Sequence, residues 1–396
     1  MTFRNTQLLL VVPLVVPLLA IISCGDSESG TLYVTGETTV GLDSIGGPGE
    51  SATSNPGDSD DAETDDSTSG NPGTSNPGTS NPGSGGSNGV KFDVGEQPDL
   101  PAAETEGECS IPPHTPCDSN SNDPWHAIGI NCPGEFQVVT NYMGDPAMQY
   151  VHTGQIGTYN PPTYPIHEGE KLVILSSGNA VDVVTPGSTG STSIDGQDPG
   201  NLPGPMNPNG VGGQDCAQNP ALVGTGDCSN TIAGQWSQGT GAYDYAEMRL
   251  IADVPEGVYG FSYDFIFFST EYPVWYQTQY NDMYIAWLES ELWTGNISFD
   301  EQGNPISLNA GFLDYKDADG NLDPECPCSA PELQGTGLEG HAATKWLTTT
   351  AGVNAGEQIT LIFAIFDLSD NVLDSMIAID NFEWQCEGGP PNTAPG

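Results

Sequence analysis

Apolar and polar residues alternate in short runs over the C-terminal part of the chain, and the pattern repeats every two residues rather than every three or four. In VYGFSYDFIFF (258–268), Tyr259, Phe261, Tyr263, Phe265 and Phe267 share one face, with Gly260, Ser262 and Asp264 on the other. That is the period of a strand. QITLIFAIFDL (358–368) is apolar on both faces, which predicts a central strand of a sandwich. EKLVILSSG (170–178), YAEMRLIADV (245–254), DMYIAWLES (282–290) and SMIAIDNFEW (375–384) predict further strands. Long Gly/Pro/Asn-rich loops separate them, the longest at 185–214, and no amphipathic helix of ten or more residues is evident. Many strands between turn-rich loops predict one all-β domain over residues 107–396, a jelly-roll-like β-sandwich.

The pattern stops upstream. From residue 24 to 106 there is no apolar period, only an acidic run, DSDDAETDDS, and then SNPGT-like repeats. This composition buries too little apolar surface to offset the entropy of ordering, so it predicts a disordered stalk. Residues 1–23 read as a signal peptide: Arg4, then an apolar run from Leu8 to Ile22, too short for a bilayer span of about 20 residues. The run ends in Ile21-Ile22-Ser23-Cys24-Gly25, which resembles a bacterial lipobox. Cleavage before Cys24 and acylation, palmitate included, would tether the chain to a membrane, since several acyl chains give lasting attachment. Gly25 in place of Asp favours the outer membrane or cell surface, by analogy with well-studied envelopes.

Charge narrows the partners. The chain carries 53 Asp and Glu against 6 Lys and Arg, a formal net charge of -47. Such a surface repels nucleic acid and anionic headgroups, and it either serves solubility or attracts divalent cations. Of nine cysteines, lipidation of Cys24 leaves Cys109, Cys117, Cys132, Cys216, Cys228, Cys326, Cys328 and Cys386. An even number in an exported chain predicts disulfide staples, up to four, among 105 pairings. Zinc is disfavoured because no CxxC pair is present and no histidine stands at ligand spacing from a cysteine.

Catalytic signatures are missing from the sequence: no GxSxG, no HExxH and no Gly-rich loop before a helix. The expectation is therefore a non-enzyme. Two stretches suggest calcium instead. LDYKDADGNLDPE places Asp317, Asp319 and Asp323 around Gly320; it does not fit an EF-hand, and it reads as a looser calcium turn or an ordinary Asp-Gly turn. FDLSDNVLDSMIAIDNFEW carries Asp367, Asp370, Asp374 and Asp380, and Asp380 interrupts an apolar strand. A buried carboxylate without a basic partner needs backbone donors or a metal. Finally, STEYPVWYQTQYNDMYIAWL (269–288) clusters Trp275, Tyr276 and Tyr280 beside Glu271, Asn281 and Asp282. Pro273 should end the preceding strand. The rings then sit on a loop, either packed beneath it or exposed to stack on sugar faces.

YDFIFFSTEYPVWYQTQYNDMYIAWL and the later FDLSDNVLDSMIAIDNFEW resemble the choice-of-anchor L domain of bacterial exported proteins. The matching positions are Ser269, Glu271, Tyr272 and Pro273, then Tyr280, Asn281 and Asp282, then Leu373, Asp374 and Ser375, then Asp380 and Asn381, covering about 245–386. The resemblance implies a surface domain joined to an interchangeable anchor, here the lipobox, and no chemistry. The resulting expectation is a cell-surface lipoprotein whose β-sandwich binds an extracellular glycan or protein. Structural calcium would be held by Glu271, Asp282, Asp374 and Asp380, with Asp317, Asp319 and Asp323 as a second candidate. The alternatives are an exported polysaccharide hydrolase, whose paired carboxyl groups would flank a groove, and a purely structural envelope protein.

Overall fold

The computed structural model describes residues 108–188, 190–208, 212–310 and 331–396. Cys24, Asp317, Asp319, Asp323, Cys326 and Cys328 lie outside the described residues, as do the signal peptide and the stalk.

Among the described residues, twelve strands form two antiparallel sheets: β1 (Val139–Met143), β2 (Gln149–Thr153), β3 (Lys171–Ser176), β4 (Ala242–Asp253), β5 (Gly260–Ser269), β6 (Met283–Glu289), β7 (Thr294–Asn296), β8 (Ala342–Ala343), β9 (Leu347–Gly352), β10 (Gln358–Leu368), β11 (Ser375–Gln385) and β12 (Asn392–Pro395). One sheet runs β1-β4-β10-β6-β7, the other β12-β9-β5-β11-β3-β2 with β8 beside β5. All six expected strands are present, and β10 is the centre of its sheet. Described helical segments are three to five residues long.

Alternation sets the core. Phe261, Tyr263, Phe265 and Phe267 of β5 meet Met248 and Leu250 of β4, Phe363 and Ile365 of β10, and Tyr284 and Leu288 of β6 between the sheets. The rings interlock edge to face, with Tyr263 and Phe363 centroids 4.9 Å apart. The outer faces are covered too. Ile266 and Phe268 of β5 and Met376 and Ala378 of β11 lie under Tyr164, Val183, Leu338 and Trp346. Ile285 and Trp287 of β6 and Ile362 and Phe366 of β10 lie under Leu202, Met206, Ile232 and Trp236. The long loops are therefore cladding, which is why β10 is apolar on both faces.

Among the described residues, three disulfides staple the domain: Cys109–Cys386, Cys117–Cys132 and Cys216–Cys228. Cys117–Cys132 closes the segment ahead of β1, and Cys109–Cys386 ties the start of the domain to the residue after β11.

Candidate functional site

The inward-facing row of each central strand ends in a polar residue at the same end of the sandwich. Continuing the two-residue step, β4 reaches Asp244, β10 reaches Asp367 and the residue before β6 is Asp282; these strands are neighbours in one sheet. Opposite them, β5 ends at Ser269, β11 begins at Ser375 and Ser177 follows β3, again on neighbouring strands. All six side chains are fully buried. An acid layer on one sheet thus faces a hydroxyl layer on the other, closing the core. Ser375 Oγ donates to Asp282 Oδ2 across the gap (2.7 Å), and the Leu368 amide donates to Asp282 Oδ1 (3.2 Å).

Two more acids border this layer. Glu271 follows β5 and is buried; the Asp282 amide bonds its carboxylate, while its Oε2 has no partner. Asp374, just before β11, accepts from the Thr192 amide (3.1 and 3.2 Å) and packs so tightly on Gly178 that a Cβ there would come within 2.2 Å of its Oδ2. Asp367 is the least satisfied. No amide or hydroxyl reaches either oxygen in good hydrogen-bonding geometry: the carboxyl lies against that of Asp282 and beside the Ser177 hydroxyl, which is turned to the Ser375 carbonyl (3.2 Å). Asp244 Oδ1 accepts from the Ile194 amide (2.9 Å) and its Oδ2 is unpaired.

Burial, reinforced by like charge, pushes the carboxyl groups of Glu271, Asp282 and Asp367 far above the ordinary range. Burial likewise raises Asp374 to about 7 and Asp244 to about 6. Among the described residues, no Lys or Arg forms an ion pair with any of these acids; Arg249 pairs with Glu247.

Asp380 does not join the cluster, contrary to its expected place among the calcium ligands. It lies midway along β11, where Oδ2 accepts from the amides of His167 (2.8 Å) and Glu168 (3.4 Å) and Oδ1 from its own neighbour Asn381 (2.8 Å). Backbone donors, the other reading open for this residue, meet its need. Beside it His167 Nδ1 bonds Asp264 Oδ2 (2.8 Å), and the imidazole lies 4.4 Å from the Trp346 ring.

The loop from 270 to 282 forms the rim above the acid layer. β5 stops at Ser269, ahead of Pro273, and the strand resumes at Met283. Tyr276 packs edge-on against buried Tyr272 (6.1 Å), whereas Trp275 is 39% exposed with Tyr280 against its edge (5.2 Å), next to Val274 at 72%. The cluster is thus divided, with Tyr276 packed beneath the loop and Trp275 at the surface. Asn281 braces the loop by donating to Gln235 Oε1 (2.6 Å) and accepting from the Asn309 amide (2.8 Å).

A cleft of about 220 Å³ was not anticipated from the sequence; its lining includes His114, Glu135, Phe136, Phe382 and Trp384. His114 bridges Glu135 (2.8 Å) and Glu168 (2.5 Å) with its two ring nitrogens. Among the described residues, the one group of His, Cys, Asp or Glu with ligand atoms all within 4.8 Å of each other is His114, Cys132 and Glu135, and there the sulfur is committed to Cys117.

A family profile, the choice-of-anchor L domain, matches residues 131–383. No curated protein and no solved structure matches the chain. The match starts well before residue 245, where the two recognisable motifs begin, and takes in β1, β2 and β3, which are integral to the two sheets. The chain belongs to the choice-of-anchor L family, which makes it a β-sandwich of the bacterial cell-surface type.

Proposed function

As a member of the choice-of-anchor L family, this protein is, we propose, a lipoprotein anchored through Cys24 that presents its sandwich for binding an extracellular glycan or protein at the outer cell surface. The observation that carries the reading is the polarity of the fold. The chain enters the sandwich at Cys109, bonded to Cys386 just past the end of β11. The loop bearing Val274, Trp275 and Tyr280 sits at the other end, where Ser375 opens β11 opposite Ser269. Eleven residues of β11 separate the two ends, roughly 35 Å of strand. The aromatic rim is thus held away from the side on which the chain enters.

A hydrolase is less well supported. In the described cleft Glu135 is engaged by His114, which also holds Glu168 behind it, so of the lining carboxylates only Glu383 is left free of the imidazole, and the acids of the buried layer are almost wholly shielded from a substrate. A purely structural role leaves exposed Val274 and Trp275 without a purpose.

Two measurements test the proposal. Cys24→Ser should abolish incorporation of labelled palmitate and release the protein from the membrane fraction. Cells displaying the Trp275→Ala, Tyr280→Ala variant should lose adhesion to immobilised glycans or matrix proteins that retain wild-type cells. Unlabelled wild-type protein, or adhesion independent of the rim, would refute the anchor and the binding face respectively. Calcium belongs to the same reading.

A further inference from the structure

We infer that the buried acid layer is a calcium site, with Asp282 and Asp367 as direct ligands and Glu271 and Asp374 flanking them. The inference rests on the calcium part of the function proposed above and gives it a place.

Three observations support it. First, the layer is built by register rather than by surface composition: Asp367 is an inward-facing position of the central strand and Asp282 stands beside it at the foot of β6, where the pairing Phe366–Met283 puts them side by side. Like charges so placed repel each other and destabilise a bare sheet. Second, Asp367 is fully buried with no well-formed donor on either oxygen and the like-charged Asp282 carboxyl beside it, and Glu271, 2% exposed, keeps Oε2 unpaired. Such atoms are what a missing cation leaves behind. Third, the donors are hard oxygens, carboxylate and hydroxyl, with no His or Cys among the residues named here, a set that suits calcium over zinc or copper.

Protons are the rival neutraliser. One divalent ion neutralises two carboxylates at once and attracts the rest. No three of these carboxylates bring oxygens within 4.8 Å of one another, so two direct protein ligands plus water and backbone oxygens fit better than a full carboxylate cage. That places the affinity with extracellular calcium modules, about 10⁻⁴–10⁻³ M.

The test uses the full-length chain in detergent, unfolded by heat in EDTA and in 10 mM calcium chloride. Wild type should melt about 5 °C higher in calcium. Asp367→Asn keeps the shape and removes a buried charge, so it should melt higher than wild type in EDTA yet show no calcium shift. A control carrying Asp317→Asn, Asp319→Asn and Asp323→Asn should keep the wild-type shift, which separates the buried site from weak ions on other acids. No calcium shift in wild type, or a shift that survives Asp367→Asn, would overturn the inference. Either result leaves palmitate labelling and rim-dependent adhesion untouched, so failure of the metal site is distinguishable from failure of the proposed function.

Discussion

Removing the Cys109–Cys386 disulfide should destabilise the domain far more than removing a short-range one. The bond spans 277 residues, and the chain-entropy relation gives about 5.6 kcal/mol for a loop of that length. The two short disulfides inside the loop shorten it effectively to about 250 residues, which changes the result by only about 0.1 kcal/mol. For Cys216–Cys228, with a separation of 12, the same relation gives about 2.8 kcal/mol. The comparison is strict, because Cys216 and Cys228 are fully buried and their loss also opens a void, whereas Cys109 is exposed. The assay is guanidinium unfolding of Cys109→Ala, Cys386→Ala and of Cys216→Ala, Cys228→Ala, each against wild type. With a slope of about 6 kcal/mol/M for a domain of this size, the long-range variant should lose about 0.9 M in midpoint and the short-range one about half that. If the long-range variant loses no more than the short-range one, loop closure is not what this disulfide contributes.

Further outcomes follow from the networks. Asp380→Ala strips the acceptor from three amides and should cost about 2–4 kcal/mol, Asp380→Asn clearly less, with the calcium shift unchanged in both; a vanished calcium shift would place Asp380 back at the metal. Gly178→Ala forces a methyl against the Asp374 carboxylate and should cost about 1–3 kcal/mol by urea unfolding. The pair of His167 and Asp264 sets a pH window. Hydrogen bonding to Asp264 raises His167 above 6.5, while for Asp264 burial acts upward but the donors His167, Thr348 and Asn381 bring it below 3.8. The pair therefore stabilises the fold above the Asp264 range and up to 6.5, and that stability fades as pH climbs through the raised His167 value. His167→Gln should flatten this decline between pH 6 and 9, and a decline that persists in the variant would assign it elsewhere.

How much of this was legible without coordinates follows from the range of each signal. Alternation is local, so β3, β4, β5, β6, β10 and β11 could be read directly, and Pro273 marked the end of a strand because it carries no amide proton. β9, LTTTAG, has a single large apolar residue, and β1, β2, β7, β8 and β12 were short or polar, so their pairing came from neighbours rather than from pattern. The aspartates were visible one by one, but nothing local separates Asp380, satisfied by amides from the 167–168 segment, from Asp367, left bare. Asp244, Asp282 and Asp367 stand far apart in sequence and become one layer only because of the strand order β4-β10-β6, with Asp367 beside Asp282 by register and Asp244 brought in at the irregularity where the β4–β10 pairing shifts. His114, Glu135 and Glu168 likewise meet through contacts between distant segments. The residues that make a strand are chosen by period, a property of neighbours along the chain. The residues that make a site are chosen by which strands pair, and that choice is made by burial of the whole core.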